Sequence, residues 1–369
     1  MDNEIKNIKL QSSFEGEDRP WHGKGGKRAV VLMSGGVDSS AAALVLLKQG
    51  YDVAGLTMNI SRGPGLSACK AASDVCRLLS IPHFFADIED EFKRAVISPF
   101  CEAYRLGVTP NPCADCNEKI KFGLLWDIAE REWGCDFEVA TGHYARKIGR
   151  NGHSYLARAR NTKKDQSYFM SGIRPDRLGR LQLPLGDFES KDDTRRLVRE
   201  AGLPCSERPE SMDICFAAED DYRSLLDCCH TPGFIKDTEG NIIGRHEGIA
   251  GYTIGQRKGL GIAAAHPLYV TEIRPSENTV IAAPRHAAFR SEVSAINANI
   301  LAPDLTAEGL GFRGKVRSQQ EPQPCVLLSN SRGRISVRFD KPVFAPAPGQ
   351  RLVLYTDDGI VAAGGVIVR

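Results

Sequence analysis

Apolar runs of strand length alternate with helical periodicity through the first part of the chain. RAVVLM (28–33) is uninterrupted and apolar, and DSSAAALVLLKQG (38–50) has the spacing of a helix that stops at a glycine. The alternation continues with a strand in DVAGLTMNI, a helix through ACKAASDVCRLLS, a strand in PHFFADI, a helix near 89–104, a longer helix at 117–133 and a strand in DFEVATGHY. Strands alternating with helices predict an α/β fold whose parallel sheet is covered on both faces. Ligands bind outside the carboxyl ends of such strands, so the turn after the first strand is where chemistry is expected.

The texture changes after about residue 217. GNIIGRHEGIAGYTIGQRKGLGIAAAHPLYVTEI is rich in glycine and short strands, and from about 288 to the end short alternating segments separated by Pro and Gly turns predict a small barrel. The expected organisation is a polar tail at 1–27, a catalytic α/β domain at 28–217, a central β-rich domain at 218–287 and a C-terminal β-barrel domain at 288–369. A length of 369 residues with 42% hydrophobic content suits such a division. No stretch has the apolar length to cross a bilayer. The start, MDNEIKNIKLQSSFEGEDRP, is polar and acidic where a signal peptide would be basic and then apolar, so a cytoplasmic location is expected. A net charge of +2 neither requires nor excludes a nucleic-acid partner.

Eleven cysteines, odd in number and irregularly spaced, do not make a disulfide framework. Cys69, Cys76, Cys101 and Cys135 fall within helix or strand patterns and are expected as small core hydrophobes. TPNPCADCNEKIKFG (109–123) differs, because Cys113 and Cys116 stand three apart after two prolines and before an amphipathic run. That spacing serves zinc binding, dithiol redox chemistry, iron–sulfur ligation or a lone nucleophile. A structural zinc wants four ligands, and here a second CxxC is absent, while Cys228 and Cys229 are adjacent and chelate poorly.

The turn after the first strand is SGGVDSS (34–40). Gly35 and Gly36 let the backbone approach an anion, Ser34, Ser39 and Ser40 add hydroxyl donors, and Asp38 organises the turn or helps hold Mg²⁺. There is no Walker lysine. Such a loop resembles the pyrophosphate-binding loop of enzymes that use ATP to adenylate an oxygen.

SGGVDSS, TPNPCADCNEKIKFG, ATGHYA (140–145), KDQSYF (164–169), SMDICF (211–216) and GYTIGQRKGLG (251–261) follow one another in that order. Together they resemble the bacterial tRNA-specific 2-thiouridylases, tRNA-uridine 2-sulfurtransferases of the ATP-pyrophosphatase (PP-loop) superfamily, over nearly the whole chain from about residue 28. The resemblance implies an adenine nucleotide alpha hydrolase-like first domain using ATP and Mg²⁺. It also implies a tRNA partner whose wobble uridine (U34), in the anticodon stem-loop, is adenylated at O2 and then thiolated at C2 as AMP leaves. Carried over by motif, Cys116 is the nucleophile and Cys215 the partner that carries a persulfide, with a Cys116–Cys215 disulfide as the resolved product. The sulfur donor would be a persulfide carrier protein, a cysteine desulfurase or sulfide. Cys113 stands where some members have an aspartate three residues before the nucleophile. This third thiol opens a second route, in which Cys113, Cys116 and Cys215 ligate three irons of a [4Fe–4S] cluster whose open iron binds hydrosulfide.

The same matching sets ATP against Leu32, Met33, Ser34, Gly35, Gly36, Val37, Asp38 and Ser39, lined by Met58 and Gly142, and the target base beside Asn111, Pro112 and Cys113. Lys164, Asp165 and Gln166 match the tRNA-contacting stretch, although as residues they also read as a solvated turn. Arg317 and Ser318 match a segment that touches the anticodon region, Ser318 replacing an aromatic. Arg257 and Lys258 are candidate phosphate contacts, and His143 reads as a structural histidine. The rival readings are another PP-loop tRNA thiolase or an amide-forming synthetase, which would share the loop, and a non-catalytic RNA-binding protein.

Overall fold

The structure, a computed structural model, describes residues 8–23, 26–60, 64–207, 215–216 and 231–369. The chain divides into two compact units, one of residues 1–95, 114–216 and 359–361, the other of residues 96–113, 217–358 and 362–369.

In the first unit, β1 (Leu10–Ser12), β2 (Arg28–Leu32), β3 (Asp52–Asn59), β4 (His83–Asp87), β5 (Glu138–Ala140) and, after the hairpin β6 (Ala145–Arg150) and β7 (His153–Arg158), β8 (Leu181–Gln182) are the strands. The main sheet runs β1-β4-β3-β2-β5-β8, and every pairing is parallel except that of β1 with β4. Ala29, Val30 and Val31 of β2 are fully buried, as a central strand covered on both faces requires. Helix α1 (Val37–Lys48) packs through Ala41, Ala42, Ala43 and Leu46 into the same core as Val53, Val75 and Cys76. The order reverses at β2, with β3 and β4 on one side and β5 and β8 on the other. The carboxyl ends of β2 and β5 therefore flank the topological switch point.

Two departures from simple periodicity matter. Helix α2 (Pro64–Leu78) matches its expected place, but the helix expected near 89–104 is α3 (Glu89–Phe92), a π-helical turn at Lys93–Ile97 and α4 (Ser98–Arg105), and α4 groups with the second unit. The helix expected at 117–133 comprises the short α5 (Pro112–Asp115), a π-helix over Cys116–Leu124 and α6 (Leu125–Trp133). The π-helix has an outside support. Arg177 donates to the carbonyls of Phe122 and Gly123 and to the Asp127 carboxylate, with its guanidinium 5.1 Å from the centroid of the Trp126 ring. Such bonds take up carbonyls that a widened turn serves poorly. A further helix, α7 (Lys191–Glu200), carries a reciprocal capping box between Ser190 and Asp193.

The second unit contains a four-stranded sheet, β9 (Gly233–Lys236), β10 (Ile242–His246), β11 (Leu268–Arg274) and β12 (Thr279–Pro284), in the order β10-β9-β12-β11. It also contains a closed barrel of β13 (Phe289–Ile300), β14 (Gly311–Lys315), β15 (Gln323–Ser331), β16 (Arg334–Phe344), β17 (Arg351–Tyr355) and β18 (Val361–Ile367), paired in the order β13-β16-β15-β14-β17-β18. Alternation turns Leu327, Ile335, Val337, Phe339, Leu352 and Leu354 into one core, and closure leaves no free edge.

Cys76 is buried as expected, Cys69 and Cys101 are half-buried, and Cys228 and Cys229 lie outside the described residues. Cys135 corrects the expectation of a core thiol, because it is exposed. Gly134, with φ of 77°, ends α6 and turns the chain outward. Among the described residues no helix is long and apolar enough to cross a membrane.

Candidate active site

The chain leaves β2 and turns through Ser34, Gly35 and Gly36 into α1. Gly35 has φ of +69°, and a Cβ there would stand 2.6 Å from Ala71, so the turn needs glycine twice over. Gly36 caps α1 without a side-chain acceptor, leaving the first-turn N–H groups to an external anion. The hydroxyls fix the loop itself: Ser34 N donates to Ser39 Oγ at 3.2 Å, and Ser39 and Ser40 donate to Gly36 O at 3.2 and 2.8 Å. Gly142, just beyond β5, lies against this loop, where a Cβ would meet Asp38 O at 2.6 Å and Ser39 N at 2.7 Å. Met58 lies at the carboxyl end of β3, two residues past Leu56, the partner of Leu32. The expected ATP-contacting residues from Leu32, Met33 and Val37 to Met58 and Gly142 thus gather at the switch point.

Sequence reading missed a cation at this loop. Asp38 Oδ1 accepts from Lys191 Nζ and, at 3.2 Å, from the Tyr144 hydroxyl. Tyr144 Oη also lies 2.7 Å from Thr194 Oγ1, and its ring centroid is 5.5 Å from the Lys191 ammonium. Among the described residues Asp38 Oδ2 has no such bond, so both of these contacts fall on the other carboxylate oxygen. In ESKDDTRR the lysine looks like part of a solvated face. The available signal was the Ser190–Asp193 capping pattern, which puts Lys191 at the first position of α7, where a cation opposes the helix dipole unless an anion balances it.

The loop connects to the thiols through the first unit. After Gly142, the His143 Nδ1 lies 2.8 Å from Thr141 Oγ1 and its ring is 5.9 Å from that of Phe122 on the π-helix. Burial and then the Lys121 ammonium lower His143 well below the ordinary imidazole value, so it is neutral and not a proton carrier at physiological pH. The charge of Lys121 also acts on Cys215, lowering a thiol that burial raises by more, although Cys215 still presents surface to solvent. Lys121 and Phe122 belong to the π-helix that starts at Cys116, itself only 6% exposed. Phe216, next to Cys215, sets its ring edge-on to Phe92 at 5.6 Å. The π-helix is braced by the end of KDQSYF and the residues that follow it: Asn117 donates to Phe169 O at 3.0 Å, and a Cβ on Gly172 would meet Glu118 Cδ at 2.8 Å.

Other expected site residues take varied places. Asp165 keeps its carboxylate inside, accepting from Arg158 Nε (3.2 Å), Ala159 N (3.1 Å), Ser167 N (3.1 Å) and Ser167 Oγ (3.0 Å), and Gln166 Oε1 accepts from Tyr144 N at 2.9 Å. Lys164 is half-buried. Within the second unit, Asn111 and Pro112 are buried and Cys113 is exposed. Arg317 donates to Ile254 O and, at 3.1 and 2.9 Å, to Ala345 O, tying the GYTIG turn to the barrel, and Ser318 is half-buried. Arg257 and Lys258 are exposed on a turn that Gln256 closes by accepting from Thr253 N and donating to Lys258 O, each at 3.0 Å. A [4Fe–4S] cluster would require the sulfurs of Cys113, Cys116 and Cys215 to form one ligand group. Among the described residues no three His, Cys, Asp or Glu side chains form a group that could hold a metal ion.

Comparison with known proteins covers both units. Family models described as the tRNA methyl transferase HUP domain, the tRNA methyl transferase PRC-barrel domain and the aminomethyltransferase beta-barrel domain match residues 27–219, 228–284 and 290–367. A tRNA-specific 2-thiouridylase MnmA of Nostoc punctiforme is 40% identical over 349 residues, covering 92% of this chain and 99% of the relative. Proteins of the same name from Pelobacter propionicus and Clostridioides difficile are 41% and 38% identical, over 92% and 93% of this chain and 97% and 98% of the relatives.

Proposed function

We propose, from the premise that this chain belongs to the tRNA-specific 2-thiouridylase family, that it catalyses ATP-dependent 2-thiolation of the wobble uridine of tRNA. The thiouridylase relatives match nearly end to end, and a phosphate loop in the same compact unit as Cys116 and Cys215 suits thiolation, whereas the words methyl transferase in the domain descriptions have no counterpart in this chemistry. The observation that carries the reading is the run of neighbours in the first unit from Asp38 through Gly142 and His143 to Phe122, Lys121 and Cys215.

In this reading the α1 N-terminus, Ser34 and Lys191 hold the ATP phosphates, and Lys191 supplies the cation that the loop lacks. Mg²⁺, held by Asp38 Oδ2, would neutralise phosphate charge. Uridine O2 attacks the α-phosphorus and pyrophosphate leaves. The outer sulfur of a Cys215 persulfide then attacks C2, and AMP departs with the former O2. Cys116 attacks the Cys215 sulfur, releasing 2-thiouridine and leaving a Cys116–Cys215 disulfide. Hydrosulfide opens that disulfide to regenerate the Cys215 persulfide and the Cys116 thiol. A persulfide carrier or cysteine desulfurase would load Cys215 directly, with a dithiol reducing the disulfide. Asn111, Pro112 and Cys113 face the base, whose extrusion is cheap because an anticodon-loop uridine is already unpaired. Lys164 in the first unit and Arg257, Lys258, Arg317 and Ser318 in the second are the candidate tRNA contacts, each within its own unit, the buried Asp165 ordering the turn beside Lys164.

The test is mass spectrometry of nucleosides from tRNA incubated with enzyme, ATP and sulfide, alongside pyrophosphate release. The expected result is 2-thiouridine at position 34, with release stimulated by U34-bearing tRNA and not by carboxylates. Stimulation by a carboxylate without 2-thiouridine would establish the amide-forming rival. Anaerobic purification with iron and labile-sulfide analysis separates the sulfur routes, since activity that tracks iron content would replace the persulfide relay by the cluster.

A further inference from the structure

The strap leading to Asn111, Pro112 and Cys113 is clasped within the second unit. Thr109 N donates to Pro348 O at 2.9 Å, and Gln350 Nε2 donates to the carbonyls of both Thr109 and Pro110, each at 3.1 Å. Between them Gly349 has φ of +90°, and a Cβ there would meet Val108 Cγ1 at 2.5 Å and Thr109 O at 2.7 Å, so the strap lies directly on bare backbone. Gly349 N donates to Ile367 O at 2.9 Å and Ile367 N to Gln350 O at 2.8 Å, which anchors the clasp to β18. Across the strap, a Cβ on Gly107 would stand 2.7 Å from Ile273 Cγ2, and Thr109 Oγ1 reaches Thr253 Oγ1 at 3.4 Å.

Elementary chemistry gives the clasp its meaning. In TPNP Pro110 and Pro112 lack N–H groups, so the strap up to Asn111 cannot direct itself by pairing as a strand, and the chain turns helical only at Pro112, the first residue of α5. Its φ angles are stiff at both prolines, and its direction depends on whichever donors take its carbonyls. One primary amide, with two N–H bonds, serves both carbonyls immediately before Asn111.

We propose that Gln350, backed by Gly349, is a positioning residue for thiolation, setting the direction in which the Thr109–Pro110 strap presents Asn111, Pro112 and Cys113 to the base. This rests on the reading that those three residues face the uridine. The experiment uses the full chain with Gln350→Leu, which keeps bulk and removes both donors, and Gln350→Lys, which restores donors on a flexible stem. The measurements are kcat and KM for tRNA thiolation, the melting temperature, and the iodoacetamide alkylation rate of the exposed Cys113 by peptide mass spectrometry. Gln350→Leu should lower kcat about tenfold or more, since a ~1 Å misplacement can cost ~100-fold. KM and melting temperature should hold, the Cys113 alkylation rate should change, and Gln350→Lys should recover part of both losses. An unchanged kcat and alkylation rate in Gln350→Leu, or a loss of kcat that follows melting temperature in both variants, would overturn the proposal. A wild-type chain that makes no 2-thiouridine would instead remove the reading of the reaction, while alkylation would still report whether the amide directs the strap.

Discussion

The phosphate loop and the thiols are assembled by opposite means. The loop is a single stretch, Ser34 to Ser40, whose ligand groups are mostly backbone N–H and whose shape is closed by its own serines and by Gly142. The thiols come from a π-helix and from a remote turn, and it is the Lys121 ammonium of that helix that acts on the Cys215 thiol. A phosphate can be held by one contiguous turn, whereas sulfur transfer needs two groups that meet in space. The two parts should therefore fail separately.

The largest effect comes from breaking the thiol side alone. Cys116→Ala and Cys215→Ala should each abolish 2-thiouridine while U34-tRNA-stimulated pyrophosphate release persists, and failure of both steps in either variant would erase the distinction. Next, Lys191→Met should lower pyrophosphate release by ~10²-fold, the scale of losing one preorganised charge contact in the transition state. The same variant should leave the Cys215 alkylation rate unchanged, and Asp38→Ala should behave alike.

Acid probes the sheet that bears the loop. His83 is fully buried between Ser13 Oγ at Nδ1 (2.7 Å) and Thr57 Oγ1 at Nε2 (2.8 Å), and Thr57 donates to Met33 O at 3.0 Å, one residue before the loop. With the Thr57 proton so used, the imidazole is the Nε2–H tautomer. Burial lowers it from 6.5 to about 4. The unfolded chain thus takes up this proton first, so the stabilisation is complete above pH 6.5 and is lost as pH falls towards 4. The loss should be on the order of 3 kcal/mol, read as a falling urea midpoint whose slope is reduced in His83→Gln. The smallest effect is expected for Gly142→Ala, where crowding of Asp38 and Ser39 should cost about 1–3 kcal/mol and weaken ATP binding measured by calorimetry.

Legibility along the chain followed the same division. SGGVDSS was readable because glycines and hydroxyls after an apolar strand do their work where they stand. Lys191 was not, since its anion lies 153 positions away and its immediate neighbours are charged. Asp165 and Gln166 looked outward in KDQSYF, yet their acceptors close a turn and bind Tyr144, which no local pattern reveals. The π-helix at Cys116–Leu124 also hid, because its support comes from Arg177, more than fifty positions on.

By itself the sequence determined the alternation that makes a parallel sheet, the short strands that close a barrel, and the place of the anion-binding turn, for these depend on nearest-neighbour backbone preference and on the period of apolar residues. Tertiary structure alone decided which cation balances Asp38, which amide directs the strap before Cys113 and which segments approach Cys215. Those are meetings of groups far apart in the chain, and side-chain charge and hydrogen bonding act over a few ångströms of space whatever the distance along the backbone.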